Sequence, residues 1–230
     1  MQKISSRLDS VQKLAENVWQ FDFSCPSAFK FVAGQFVMLQ IEDGQPGKAQ
    51  RAYSLACPPE GDGFSICVRL VEGGRGSEYL RSLKVGDEVM FTGPFGHFVL
   101  EDSKKEVVLV ATGAGIAPFM SMIPVLLESG FKKPVILYFS ASYEKELVYV
   151  DKFHEWEDKW PNFSAVLTLT RPSSSWKGLT GRVQEHLKDG TFDVTDAKFY
   201  ICGRREMVTE VRALLSEMGA KKEDVHFEQF

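Results

Sequence analysis

Two short runs in the second half of the chain combine glycine with the opening of a helix, which is the arrangement that binds anions. Thr112-Gly113-Ala114-Gly115-Ile116-Ala117-Pro118 follows a β-branched run at 107–110 and precedes apolar residues at Phe119, Met122, Ile123, Leu126 and Leu127. The steps of three and one are those of an amphipathic helix, so the glycines sit in a strand-to-helix turn. Glycine tolerates the sharp turn and leaves room for a pyrophosphate to approach the backbone. The free N–H groups and positive end of the helix then favour the anion. Pro118 suits a first helical turn and stands where the dinucleotide fingerprint G-x-G-x-x-G has its third glycine. The second run, Cys202-Gly203-Arg204-Arg205-Glu206-Met207, follows another apolar strand, and either arginine could meet phosphate. A tight turn without a ligand is the competing reading of each run alone.

The elements that would position these runs fall into two kinds. Residues 1–100 contain short strand candidates at 18–23, 36–41, 52–56, 64–70 and 88–92, split by EDGQPG, PPEGDG and VGD, with one helix at 77–83. Regular short strands between Gly/Pro turns predict an antiparallel sandwich or barrel. From Glu106 onward, strands at 107–111, 135–139, 165–169 and 199–202 alternate with helices at 116–129, 145–159, 182–187 and 206–218. That alternation predicts a parallel sheet covered by helices. The polar stretch 101–105 is the expected join, giving domains 1–100 and 101–230.

Composition narrows the function. The formal charge over 230 residues is −4, with 27 basic and 31 acidic side chains and neither half polarised. Without a basic block, nucleic acid is a poor partner. Cys25, Cys57, Cys67 and Cys202 lack disulfide-framework or C-x-x-C spacing, and the four histidines are isolated, so no metal site is expected and reduced thiols in a cytoplasmic protein are. Residues 107–127 carry no charge, but two glycines and two prolines interrupt them and the pattern changes midway, so no membrane span is expected. The N-terminus has no apolar stretch of a signal peptide.

Taken in order along the chain, the motifs resemble those of the ferredoxin–NADP reductase superfamily, from about Val18 to Phe230. Arg51-Ala52-Tyr53-Ser54 is similar to its R-x-Y-S flavin motif. The resemblance implies that Arg51 pairs with the FAD pyrophosphate, that Tyr53 lies against the isoalloxazine, and that Ser54 reaches toward flavin N5. Gly74-Arg75-Gly76-Ser77 resembles the second flavin motif, with Gly76 and Ser77 at a helix start. Val68, Arg69 and Leu70 match positions that line the flavin, and Gly93-Pro94-Phe95-Gly96 resembles a structural turn closing the barrel. The run at 112–118, with Thr112, Gly113, Gly115, Ile116 and Pro118, matches the nicotinamide-nucleotide loop. Cys202, Gly203 and Met207 match the C-G-x-x-x-M motif, whose cysteine lies near the nicotinamide. Glu228 and Phe230 resemble the end of plant-type members, where a carboxylate and an aromatic ring border the flavin; phenylalanine here replaces tyrosine.

The implied function is transfer of hydride from NADPH or NADH to FAD, in a site between the two domains, and then of electrons to a separate acceptor. That acceptor would be a ferredoxin, a flavodoxin, an oxygenase component or free flavin, since no Cys-rich ferredoxin segment flanks the two domains. Ser54, Cys202, Glu228 and Phe230 would border the reacting rings, and none would act as a nucleophile. Thr170-Arg171 stands where NADP-dependent members place Ser-Arg for the 2′-phosphate, which leans toward NADPH. Two rival readings are a flavin-bearing subunit active only within a larger complex and a nucleotide-binding regulatory module without redox work.

Overall fold

The computed structural model describes residues 2–26 and 29–230. The chain divides into two compact units, Met1–Leu100 with Ala117–Val125, and Glu101–Ile116 with Leu126–Phe230.

In the first unit, β1 (Gln2–Lys13), β2 (Val18–Ser24), β3 (Phe36–Ile41), β4 (Ala49–Ser54), β5 (Gly63–Arg69) and β6 (Glu88–Phe95) form an antiparallel sheet in the order β4-β3-β6-β1-β2-β5. A bridge from Leu55, just past β4, to Ile66 of β5 joins the two edges and closes the barrel. Period-two alternation decides what lies inside. Phe21 and Phe23, Val37, Leu39 and Ile41, and Phe64, Ile66 and Val68 all point into one core. Phe64 and Phe91 meet edge to face at 5.1 Å, and Phe23 and Phe91 at 5.0 Å. Each such pair adds about 0.5–1.5 kcal/mol beyond area burial. On the outer face, Asp22 accepts hydrogen bonds from Ser10, Gln20 and Ser65.

The structure adds to and corrects the sequence reading here. β1 was not expected, yet Ile4, Ser6 and Leu8 alternate inward along it. The fourth strand begins at Ala49 rather than Ala52, because pairing with β3 runs from Ile41↔Ala49 to Phe36↔Ser54. Gly93 and Pro94 lie within β6 rather than in a turn. The one helix, α1 (Arg75–Ser82), starts two residues earlier than its pattern suggested, with Gly74 as the N-cap residue.

The second unit holds β7 (Glu106–Thr112), β8 (Val135–Ala141), β9 (Phe163–Leu169), β10 (Leu179–Thr180), β11 (Ala197–Gly203) and β12 (Val225–Gln229). They form one parallel sheet in the order β10-β9-β8-β7-β11-β12. The helices of this part of the chain are α2 (Ala117–Glu128), whose residues 117–125 belong to the first unit and which a 3-10 turn at Gly113–Ile116 precedes, then α3 (Val150–Lys159), α4 (Val183–Lys188) and α5 (Arg205–Glu217) of the second. α3 packs one sheet face through Phe153 on Phe139 and Trp156 on Phe163. α4 and α5 pack the other through Val183, Leu187, Val208, Val211 and Leu215 against Val108, Val110, Phe199 and Ile201.

Two helices differ from the expectation. α2 was read as amphipathic, but every residue from 117 to 124 is buried, Ser121 among them. A helix that is apolar nearly all round has no solvent face to keep polar. α3 begins at Val150 rather than near Lys145, because Tyr149 takes a left-handed conformation (φ 60°) that a continuing helix cannot include. β12 was also missed: the sequence suggested only a family-like ending, whereas its backbone pairs with β11 from Phe199↔Val225 to Gly203↔Gln229.

Candidate functional site

The strand order explains why the two glycine runs meet. β7 has β8 on one side and β11 on the other, so connections leave it in opposite directions and a crevice opens at its carboxyl end. Thr112 ends β7 and Gly203 ends β11. A Cβ at Gly203 would collide with the Thr112 hydroxyl and lie 2.9 Å from Met207 Cε, and the Arg204 N–H donates to Thr112 Oγ1 at 3.4 Å. Thr112, Cys202, Gly203 and Met207, singled out from two separate runs, are therefore one cluster.

The two glycines of the first run do different work. Gly115 packs against the backbone of β11, where any Cβ would strike the Cys202 carbonyl. Gly113 has φ +56° and open space around it, so it is the position at which a ligand's phosphates can reach the backbone. Ile116 and Pro118 are buried and support the turn from below. Arg204 and Arg205 stand exposed at the start of α5, whose first N–H groups have no side-chain cap. Those residues fit a nucleotide pyrophosphate.

In the first unit, Arg51 and Tyr53 of β4 meet Gly76 of α1. A Cβ at Gly76 would lie 2.9 Å from Arg51 Cγ and 3.1 Å from the Tyr53 hydroxyl. The Arg51 guanidinium is exposed and donates to the Gln50 carbonyl at 2.8 Å. The first turn of α1 has no side-chain cap either. An exposed guanidinium beside bare N–H groups is a fit for the diphosphate of FAD. Burial pushes Tyr53 up to about 12, so its ring presents a neutral hydroxyl. Ala52 is exposed and Ser54 half-buried at the end of β4.

The remaining expected flavin residues are placed differently. Val68 and Leu70 turn their side chains into the barrel core, leaving their backbone to border any ligand there, while Arg69 between them faces outward. Ser77 Oγ accepts the Val71 N–H at 3.0 Å, tying the preceding loop to α1. Arg75, to which no sequence motif gives a role, is the anchor of this region. Its guanidinium donates to Asp43 at 2.7 and 2.8 Å and to the carbonyls of Gln45 and Gly47. The pair is 32 positions apart in sequence, and no local spacing announces it. The Arg75 guanidinium holds the Asp43 carboxyl down at about 2.

Cys202 is fully buried, and burial pushes its thiol well up, with Glu228 adding to the effect. It is therefore no nucleophile. Glu228 pairs with it across β11 and β12, and burial raises the Glu228 carboxyl above its ordinary range. The Phe230 ring is 64% exposed, while its N–H donates to the Gly203 carbonyl at 3.2 Å. Thr170 and Arg171 are exposed past the end of β9. Arg171 meets the Tyr143 hydroxyl at 3.5 Å, and Ser173 donates to Glu144 from both its N–H and its hydroxyl. Tyr143 and Glu144 were not singled out by sequence; both follow β8, which lies beside β9 in the sheet. Among the described residues there is no cluster that could hold a metal ion, and no helix is long and apolar enough to cross a membrane.

Comparison with known proteins agrees with this geometry. Residues 5–100 match the oxidoreductase FAD-binding domain family, and residues 109–213 match the oxidoreductase NAD-binding domain family. The chain is 34% identical over 236 residues to ferredoxin–NADP reductase B of Sorangium cellulosum, covering 98% of this chain and 96% of that protein. It is 30% identical to the toluate 1,2-dioxygenase electron transfer component of Pseudomonas putida, covering 97% of this chain and 66% of that longer protein. A solved ferredoxin NADP⁺ reductase from Neisseria gonorrhoeae with bound FAD and NADP superposes with a TM-score of 0.86 at 25% identity, covering 99% and 98% of the two chains. The chain belongs to the ferredoxin–NADP reductase superfamily. It is an NAD(P)H-dependent FAD reductase that takes electrons from the nicotinamide coenzyme and passes them to a separate acceptor.

Proposed function

We propose that this chain draws electrons from NADPH in preference to NADH and delivers them to a separate redox protein, a ferredoxin or the terminal component of an oxygenase. The observation that carries the reading is the convergence of Thr112, Gly115, Cys202, Gly203 and Met207 at the switch point of the parallel sheet. Residues 1–100 hold FAD and residues 101–230 hold the coenzyme. FAD held there would supply the chemistry of hydride acceptance and electron release. Arg51 and the N–H groups at Gly76 and Ser77 bind its diphosphate, and Tyr53 and Ser54 orient the ring system. Gly113 and the start of α5 bind the coenzyme diphosphate. Cys202 and Glu228 would border the nicotinamide, and the exposed Phe230 ring would occupy the coenzyme's place until it binds.

The NADPH preference rests on Arg171, whose exposed guanidinium matches a 2′-phosphate. The cytoplasmic assignment rests on the four free thiols, Cys25, Cys57, Cys67 and Cys202. The acceptor is tested by steady-state turnover of the purified holoprotein with NADPH and a panel of ferredoxins, flavodoxins, oxygenase components and free FMN. Turnover with an iron–sulfur protein well above that with free flavin supports the reading. Fastest turnover with free flavin replaces it with a flavin reductase.

A further inference from the structure

A charged cluster lies toward the opposite end of β11 and β12 from Gly203. Lys198 Nζ meets Glu101 Oε2 at 2.5 Å and Asp224 Oδ1 at 3.5 Å, and Lys105 Nζ meets Asp224 Oδ2 at 2.6 Å. Lys198 and Asp224 are 9% and 4% exposed, whereas Glu101 is exposed and Lys105 half-buried, so the two buried charges are balanced by partners that reach toward solvent. The Tyr200 hydroxyl accepts the Glu101 N–H at 2.9 Å, which ties residue 101 to β11. Against this cluster lies His226, the second residue of β12. Its ring stacks on Tyr200 at 4.9 Å and 18°. Its Nε2 is buried and stands 3.7 Å from Glu101 Oε2, within ion-pair range and beyond hydrogen-bond range.

Uncharged, the His226 ring completes the packing and leaves two carboxylates matched by two ammonium groups. A proton on it introduces a third cation. Glu101 and Asp224 attract that charge, Lys198 repels it, and burial penalises it most. Burial sets the direction: the His226 pKa lies below its ordinary value. For a base shifted this way, the stabilising contribution is full above the unfolded value and is lost as pH falls through the folded one. The effect is transmitted along β12. Strand alternation puts Glu228 on the same side as His226, and the next residue on that side is Phe230.

We propose that His226 is a positioning residue, a proton-sensitive clamp that seats the last strand when neutral and loosens it when protonated, so that coenzyme affinity falls on acidification. The link to coenzyme rests on Glu228 and Phe230 bordering the coenzyme site, as proposed above. Two readouts on the oxidised holoprotein, from about pH 8 to about pH 5.5, separate the clamp from that reading. Amide exchange over residues 225–230 reports the strand, and flavin difference spectra report NAD⁺ affinity; NAD⁺ lacks the titrating 2′-phosphate. In the wild type, the protection factors of residues 225–230, taken against the intrinsic exchange rate at each pH, fall on acidification and NAD⁺ binding weakens about fivefold or more. His226→Phe keeps a ring on Tyr200 without a proton and is expected to flatten both responses. Glu101→Gln removes an attractive charge and is expected to move the step to lower pH. Identical pH responses in wild type and His226→Phe, or a step moved to higher pH by Glu101→Gln, would overturn the clamp. A strand response without an affinity response would overturn its link to the coenzyme. Phe230→Ala at pH about 8 tests the underlying reading separately: it should tighten NAD⁺ binding, and an unchanged affinity rejects the coenzyme-site role without bearing on the exchange result.

Discussion

The two halves of this reductase build anion sites by different routes. In the parallel sheet, the site is a consequence of strand order: β7 and β11 are neighbours, their carboxyl ends open at the switch point, and the glycine turns that follow them are pressed together through backbone. In the barrel, Arg51 and Tyr53 come from one strand and Gly76 from a helix 23 residues after Tyr53. Nothing in the sheet itself requires them to meet; the Asp43–Arg75 clamp and the Ser77–Val71 hydrogen bond hold α1 there. A site made of packed backbone is rigid and intolerant of added atoms. A site made of side chains is adjustable, and its losses are confined to the ligand.

The largest effect that follows is at Gly115. Gly115→Ala places a methyl group into the Cys202 carbonyl, and neither backbone can yield cheaply. A loss of about 3 kcal/mol is expected, lowering Tm by roughly 6–12 °C for a chain of this size. Thermal unfolding measures it. A Tm unchanged from wild type would show that the β7–β11 turn is loose and would remove the contrast. Arg51→Ala, on the barrel side, should leave Tm of the flavin-free protein unchanged and weaken FAD retention by about 1.5–3 kcal/mol, the value of a charged hydrogen bond. Equilibrium dialysis of the chromophore checks this, and a retained flavin with a lowered Tm would make Arg51 structural.

Arg171→Ala lies further from either turn and should be more selective still. The expected outcome is a roughly 10–100-fold lower kcat/KM for NADPH with NADH nearly unchanged. Equal losses with the two coenzymes would assign Arg171 to shared contacts or to the fold. The smallest effect concerns acid. Asp43 has its pKa lowered from 3.8 to about 2 by Arg75. Because the folded value is depressed, the contribution is complete above the unfolded value and disappears as pH falls from 3.8 toward 2. A half-buried pair near the surface is still screened, so the step is shallow. Acid titration of flavin fluorescence should show it in wild type and not in Asp43→Asn, and superimposable curves would deny the clamp.

The same contrast governs how much of the molecule was legible in the sequence. Thr112 to Pro118 could be read as an anion turn from local signals alone, because strand, glycine and helix follow one another in the chain. Arg51-Ala52-Tyr53-Ser54 carried no such signal and was found only through resemblance, since its meaning depends on Gly76 arriving from elsewhere. β1 escaped notice because Ser6 occupies an inward position between Ile4 and Leu8, breaking the apolar alternation. β12 escaped because VHFEQ, a half-exposed edge strand, has little apolar pattern of its own; its pairing with β11 makes it a strand. The depth of α2 was misjudged because spacing alone cannot show that Pro118, Ser121 and Pro124 also face packed neighbours. Strand alternation sends the Val68 and Leu70 side chains inward, which leaves their backbone as the part that could border a flavin.

One chain joins a flavin site and a nicotinamide site into a working electron path. Anaerobic stopped-flow mixing of the oxidised holoprotein with NADPH, and separately with NADH, tests it most directly. The predicted result is bleaching of the flavin band in a single turnover with both coenzymes, faster with NADPH, and slowed by Glu228→Gln at unchanged flavin content. A flavin band that persists with both coenzymes, while both still bind, would show that no such path exists.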